Sequence, residues 1–339
     1  MPELKFEIIE SLDEVNKKEW NDVVKTCSMG NYFHSFEWLH AMEKTEKVKP
    51  RHFIVKKKDS IIAIFPNVIS PMKGINFDML RSVSPPHGGP LVLKYEKEVL
   101  NIFFDEIEKM CKNKIATHEI YLYHPNYTRY ANFLRDRGYA PEISCSFILN
   151  TSIGITNIKI KARHNVSNSD NNFEFRIEEP NNHNLKEFFN FYSEAMKKKN
   201  GYIWPLDFFK ELSKESYENI QLISLYYKDE KVSGKFNILD RDNSVYHAVF
   251  NGMVDEYLKY YSNYFVTWKC IEYCQNNDFK YMELGVTSSD FRNGIFSFKD
   301  QWNGRLFPII YWKKDYSKIK MNLFNLGKIV NDRLHIIKD

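Results

Sequence analysis

The residues of this chain that are best suited to chemistry lie near its end. The apolar run Tyr281–Leu284 stops at Gly285, and Lys299 follows between the aromatic residues Phe298 and Trp302. A lysine cation beside the open end of a strand can stabilise the oxyanion that forms when an amine attacks an acyl carbonyl. The pattern therefore indicates acyl transfer with Lys299 as the catalytic group and Phe298 shaping the pocket. The alternative is a surface lysine on an aromatic-rich helix.

The sequence contains no Ser-His-Asp or Cys-His signature for a covalent intermediate. The residues therefore do not indicate a covalent enzyme intermediate. The general base stays unassigned: His247 and Glu283 are candidates, but a lone strand histidine is more often structural. In the loop before the lysine helix, Asp290 and Arg292 either contact substrate or only form a turn.

Charge and cysteine content exclude several classes of protein. The 48 Lys and Arg against 44 Asp and Glu leave a net charge of +4, which predicts no DNA partner. The five cysteines are odd in number and scattered, which argues against a disulfide framework. Cys270 and Cys274 stand four residues apart without a second ligand pair, so no metal is predicted. With no signal-like start and no apolar run long enough to span a membrane, we expect a cytoplasmic protein.

The order of predicted elements repeats once along the chain. Each half is predicted to carry strands mixed with helices, which is typical of an α/β (α+β) domain with a mixed twisted sheet. Helix Glu96–Lys112 shows helical apolar spacing in the first half, and the helix from about Ser262 does so in the second. We therefore expect an N-terminal domain over residues 1–150 and a C-terminal domain over 151–339.

The polar stretch from Thr151 to Asn172 separates the halves. Its basic part includes Arg163, and two interpretations remain open: an anion contact to phosphate or RNA, and a solvated linker.

The tandem plan resembles the Fem-type peptidoglycan-bridge aminoacyltransferases, which are tandem GNAT-fold proteins. The similarity covers nearly the whole chain and rests on five motifs, in chain order His34-Ser35-Phe36-Glu37-Trp38, Ser84-Pro85-Pro86-His87-Gly88-Gly89-Pro90, Tyr261-Ser262-Asn263-Tyr264, Glu283-Leu284-Gly285 and Phe298-Lys299. The resemblance implies two GNAT-like domains with the transfer site in the second. It also implies substrate contacts at the following residues: Trp38, Arg163, Asn263, Gly285, Arg292 and Phe298.

The implied reaction delivers an acyl or aminoacyl group to an amine of a cell-envelope precursor, sugar or related small molecule. The donor is a co-substrate, aminoacyl-tRNA or acyl-CoA, and no cofactor is tightly bound. Because Gly252 to Asn263 contain no glycine-rich pyrophosphate loop, a carrier other than coenzyme A is favoured. An acetyl-CoA N-acetyltransferase and a non-catalytic GNAT-fold binding protein are the alternatives.

The end of the chain mixes apolar and basic residues from Lys318 to Lys338. Such an amphipathic helix either packs on its own domain or lies on a membrane that holds a lipid-linked acceptor.

Overall fold

The structure is a computed structural model that describes residues 3–46, 48–72, 77–82, 88–111, 115–169, 171–317, 319 and 321–322. The chain forms two compact units. The first contains the described residues up to Glu43, those between 48 and Ile143, and those from Ile309 onward; the second contains Lys44–Glu46 and Ser144–Pro308.

The helices are α1 (Lys17–Thr26), α2 (Phe36–Thr45), α3 (Glu96–Cys111), α4 (Ala131–Asp136), α5 (Ile160–Ser167), α6 (Asn182–Lys198), α7 (Leu206–Glu215), α8 (Ser262–Asn276) and α9 (Gly294–Asp300). The strands are β1 (Lys5–Ile9), β2 (Lys49–Pro50), β3 (His52–Lys57), β4 (Ser60–Phe65), β5 (Asn67–Pro71), β6 (Asp78–Ser82), β7 (Leu91–Val92), β8 (Ile115–Leu122), β9 (Ala140–Asn150), β10 (Phe173–Glu178), β11 (Ile220–Tyr227), β12 (Glu230–Asp240), β13 (Val245–Met253), β14 (Tyr281–Thr287) and β15 (Arg305–Asp315).

The first unit contains two groups of paired strands, in the orders β1-β3-β4-β7 and β2-β5-β6-β8-β15. The Asn16 side chain caps α1 by accepting from the backbone N–H groups of Lys18 and Glu19. Phe103 and Phe104 of α3 pack on Phe65 of β4. This apolar face of α3 is the one that the helical spacing predicts.

The second unit holds a sheet in the order β10-β11-β12-β13-β14-β9, in which only β13 and β14 run parallel. Aromatic residues of α6 and α7 cover one face, and α5, α8 and α9 cover the other. On the first face the backbone of α6 lies directly against β13, since a Cβ atom on Gly252 would stand 2.1 Å from the Phe191 carbonyl. Only glycine permits so close an approach.

The mixed α/β architecture of both halves confirms the predicted fold class. The predicted division at residue 150 differs from the two units, because residues from Ile310 in β15 pair with β8 and so return the chain to the first unit. The stretch from Thr151 to Asn172 is not a linker: it contains α5, and Ala162 of this helix is fully buried in the core. The predicted C-terminal helix lies almost wholly outside the described residues.

No helix within the described ranges combines the length and apolar character needed to cross a membrane.

Candidate active site

The two parallel strands of the second unit separate soon after they meet. Their ladder consists of Val245↔Tyr281, Tyr246↔Met282 and His247↔Glu283, whereas β13 continues to Met253 and β14 to Thr287. Register irregularities occur in the pairing of β13 with β12 and of β14 with β9. Such irregularities bend strands away from their neighbours. Beyond this ladder the facing edges of β13 and β14 are not paired with each other, and we call this place the opening.

Gly285 lies on β14 where the strands separate. Its φ of +76° is in the left-handed region, which disfavours side chains, and a Cβ atom there would stand 3.3 Å from the Ala248 carbonyl oxygen. The same point is 3.8 Å from the Lys299 ammonium. Glycine at this position therefore keeps the opening clear and lets a cation approach the backbone.

Lys299 projects from α9 onto β14. The Asn293 side chain caps this short helix by accepting from the N–H groups of Ile295 and Phe296. The Lys299 ammonium donates to the carbonyl oxygens of Gly285 at 2.7 Å and Val286 at 3.1 Å, and the residue is only 9% exposed. An ammonium has three donors, and no acceptor among the described residues takes the third.

The charge state of Lys299 suits electrostatic catalysis. Burial lowers its pKa to about 8, although the negative charge of Glu283 opposes this shift. The positive charges of Lys199 and Lys235 lower the pKa further. The side chain therefore remains mainly protonated at neutral pH while being poorly solvated, which strengthens its effect on a nearby negative oxygen.

A buried ionic cluster stands beside the opening. His247 Nδ1 lies 2.5 Å from Glu283 Oε2, and the Ser146 hydroxyl lies 2.8 Å from Glu283 Oε1. Burial opposes a charge on His247, but hydrogen bonds and charges from Asp240 and Glu283 outweigh it and raise the His247 pKa to about 9. The Ser146 hydroxyl is also 3.1 Å from the Gly285 carbonyl oxygen. The cluster thus connects directly to the backbone that holds Lys299.

The structure brings Lys299, Gly285 and Phe298 together. Phe298 is half-buried, with its ring 5.1 Å from that of Tyr264 and 6.1 Å from that of Trp302. Asn263 is half-buried in the first turn of α8, next to Ser262. Its place at a helix start is compatible with a substrate contact.

Three other predicted site residues lie in different settings. Arg163 is half-buried on α5. Arg292 is exposed, and its guanidinium binds the Asp290 carboxylate at 2.9 Å within the same loop. Trp38 of the first unit is fully buried, with its ring 4.9 Å from that of Phe33. Trp38 stays a predicted substrate contact, and its ring packs in the aromatic core of the first unit.

The loop before α8 contains a glycine-like backbone conformation although it has no glycine-rich motif. Tyr261, which precedes the helix, has a φ of +63°, a conformation that usually belongs to glycine. The N–H groups of Ser262 and Asn263 have no hydrogen-bond partner among the described residues. The α8 N-terminus therefore has two N–H groups available as donors even though the loop has no glycine-rich motif.

In a comparison with protein families, residues 156–293 match the acetyltransferase (GNAT) domain. Among curated proteins, no sequence matches this chain significantly. The second unit therefore contains a GNAT acetyltransferase domain, and the prediction of acyltransferase chemistry is confirmed at the level of this domain class.

Solved structures resemble nearly the whole chain. FemX is 11% identical with a TM-score of 0.64, over 87% of this chain and 96% of FemX. A tandem GNAT protein from the clavulanic acid biosynthesis pathway is 7% identical with a TM-score of 0.62, over 93% and 99% of the two chains. The C-terminal domain of a putative lysylphosphatidylglycerol synthetase from Agrobacterium fabrum is 10% identical with a TM-score of 0.58, over 92% and 95%. At these identities the likeness establishes the fold, which is the Fem-like tandem GNAT fold expected from the sequence.

Proposed function

We propose that this protein transfers an acyl or aminoacyl group from an activated ester or thioester to an amine, at the opening between β13 and β14. The observation that carries the proposal is the buried Lys299 ammonium, anchored by Gly285 and Val286 with one donor left over. A cation fixed in this way needs no rearrangement to meet a developing negative charge.

The reaction needs few groups from the protein. The acceptor amine attacks the acyl carbonyl carbon, and the resulting oxyanion accepts a hydrogen bond from Lys299. This attack forms the C–N bond. Collapse of the intermediate re-forms the carbonyl C=O bond and breaks the C–S or C–O bond to the carrier, which leaves as a thiol or alcohol with the proton that the amine loses. One such donor is worth about 3 kcal/mol in the transition state.

The base remains unassigned in this mechanism. With a pKa of about 9, His247 holds its proton at neutral pH and is a poor proton acceptor. Both carboxylate oxygens of Glu283 already have partners, His247 and Ser146. We therefore assign these residues a positioning role rather than proton transfer.

Two donor classes fit the site. An acyl-CoA donor is supported by the GNAT acetyltransferase match and by the unpartnered N–H groups at the start of α8, which suit a pyrophosphate. An aminoacyl-tRNA donor is the other candidate, on the strength of the resemblance to Fem-type aminoacyltransferases and of Arg163 as a phosphate contact. Phe298, Asn263 and Gly285 contact substrate in either case.

For the acceptor we propose an amine of a cell-envelope precursor, a sugar or a related small molecule. The likeness to FemX and to the putative lysylphosphatidylglycerol synthetase supports an envelope acceptor, including a lipid-linked one met at a membrane surface. A GNAT-fold protein that binds these molecules without turnover is the competing proposal.

The test is a transfer assay with the full chain. Acetyl-CoA and aminoacyl-tRNA are each incubated with the protein and a panel of amines that includes an amino sugar and an amino acid. We expect acceptor-dependent release of thiol or of uncharged tRNA, with the new amide detected by mass spectrometry; reactions without an amine measure background hydrolysis. Donor binding without amide formation across the panel would favour the non-catalytic protein.

A further inference from the structure

Polar residues occur where the sheet of the second unit should be apolar. Gln221 of β11 is paired with Asn237 of β12, and Lys235 lies two residues before Asn237. Residues two apart on a strand share a face about 6.6 Å apart, and directly opposite residues lie about 5 Å apart. Leu239 on the same face belongs to the core that α8 covers. The three polar side chains therefore converge beneath α8, and we call them the donor cluster.

The donor cluster lacks acceptors. Asn237 is 1% exposed, and its amide nitrogen has no hydrogen-bond partner in the part of the chain that the structure describes. Lys235 is half-buried, and no hydrogen bond or ion pair is found for it among the described residues. The Gln221 carbonyl oxygen accepts from the Tyr246 hydroxyl at 2.6 Å, while its buried amide nitrogen, near the Tyr273 hydroxyl, makes no hydrogen bond of normal geometry. Within the described ranges, Lys235 and Asn237 thus lack an acceptor, and the Gln221 amide nitrogen lacks one of normal geometry.

The surroundings supply no negative charge to compensate. From α8, Cys270 and Cys274 approach the cluster, and burial raises the pKa of both thiols, so they remain neutral. Tyr246 from β13 is likewise neutral, because burial raises its pKa. Burial also lowers the pKa of Lys235. Buried donors without acceptors cost stability, and apolar residues of the same size would remove that cost.

We infer that the donor cluster binds a carboxylate of the substrate through Lys235 and Asn237, with Gln221 completing one side. An ammonium and a carboxamide supply the charge and hydrogen bonds that a carboxylate requires. One lysine balances a single negative charge, which favours a carboxylate over a phosphate dianion. The partial exposure of Lys235 provides a route of entry.

This inference rests on the proposed function and names a substrate class for it. Asn237 faces the part of β13 between His247 and Phe250, and the strands are about 4.8 Å apart. That part includes Ala248, whose carbonyl oxygen borders the opening at Gly285. A carboxylate in the cluster would therefore lie only a few bonds from the reacting atoms. The predicted substrate is an acceptor or acyl group that carries a carboxylate close to the reacting amine or carbonyl.

The test measures binding and does not depend on turnover. Succinate, its neutral analogue succinamide and inorganic phosphate are titrated calorimetrically into the full chain and into three variants, Lys235→Met, Asn237→Leu and Lys280→Met. The last removes an exposed lysine and is the matched control for charge. We expect wild type and Lys280→Met to bind succinate in preference to succinamide, and Lys235→Met and Asn237→Leu each to bind it at least about tenfold more weakly.

Thermal denaturation of each variant checks that a loss of succinate binding is not caused by misfolding. Without ligand, Lys235→Met and Asn237→Leu should melt at or above the wild-type temperature, since each removes an unpartnered buried donor. No succinate binding by wild type, equal binding of succinate and succinamide, or wild-type affinity in Lys235→Met would overturn the inference. Phosphate binding that depends on Lys235 without succinate binding would overturn the carboxylate assignment. The transfer assay reports separately on the proposed function.

Discussion

Buried histidines behave in opposite ways in the two units. In the first, His118 Nδ1 lies 2.6 Å from the Tyr139 hydroxyl and Nε2 lies 3.2 Å from the Asn67 carboxamide oxygen. Burial lowers the His118 pKa to about 3, and the charge of Lys314 adds to the shift. In the second, the carboxylates around His247 overcome the same burial and raise its pKa to about 9.

This difference in pKa distinguishes a structural histidine in the first unit from a histidine at the candidate site of the second unit. Neutral partners hold a neutral imidazole, which serves packing and hydrogen bonding. Charged groups lose favourable solvation when they are buried, which lowers the stability of the fold. Where β13 and β14 separate, the second unit nevertheless buries carboxylates, an imidazolium and a poorly solvated ammonium together. We therefore place the chemistry in the second unit.

The largest expected effect comes from removing a charged partner of the second-unit histidine. Glu283→Gln leaves His247 with one carboxylate fewer in a buried site, and we expect the free energy of unfolding to fall by about 3 kcal/mol. Tyr139→Phe is the matched change in the first unit, because it removes a neutral partner of His118. It should cost about 1 kcal/mol. Urea denaturation of both variants measures the loss in the free energy of unfolding. An equal loss in Tyr139→Phe and Glu283→Gln would contradict the contrast between the two units.

The histidines also predict opposite pH windows of stability. The contribution of His247 to the free energy of unfolding is complete below about pH 6.5, which is the ordinary pKa of histidine. It is lost as the pH rises through about 9, the pKa of His247 in the folded protein. His52 and His118 have pKa values lowered to about 3, so their contribution is complete above pH 6.5 and declines as pH falls toward 3. In limited proteolysis with mapped cleavage sites, we expect the first cleavages to fall in the second unit at alkaline pH and in the first unit at acidic pH. The reverse order would contradict the assignment.

A smaller effect is expected in the pH profile of turnover. Lys299 acts as an ammonium, so the rate should fall as pH rises through about 8. The negative charge of Glu283 raises the Lys299 pKa, and Glu283→Gln should therefore move this alkaline limb to lower pH. Turnover rates of folded wild type and Glu283→Gln, measured between pH 6 and pH 10, test this coupling between Glu283 and Lys299. An alkaline limb at the same pH in both proteins would contradict it.

The smallest effect is expected at the exposed loop. Arg292 binds Asp290 in solvent rather than a group of the site, so Arg292→Ala should leave the melting temperature and turnover unchanged. A selective rise in the KM of one substrate would instead return Arg292 to the substrate site.

Local signals made the fold class and the meeting of Lys299 with Gly285 predictable. Apolar spacing located α3 and α8, and the glycine that ends an apolar run marked Gly285 beside the lysine helix. These features depend on residues close in the chain, where periodicity and backbone preferences act directly.

The remaining features depend on contacts that no local pattern encodes. Ser146 meets Glu283 across 137 positions of sequence, and nothing near either residue signals the pairing. Tyr261 adopts a glycine-like conformation that residue type argues against. Residue type alone also does not reveal that Trp38 is fully buried, because an aromatic side chain suits a core as well as a binding surface.

The most direct test of the account is the kcat of Lys299→Met with the donor and acceptor found in the transfer assay. Lys280→Met is the control for loss of a lysine charge, and circular dichroism verifies the fold. Because Lys299 is assigned to the transition state, kcat should fall about 100-fold with little change in the KM of the donor. A folded Lys299→Met protein whose kcat equals that of wild type would contradict the account.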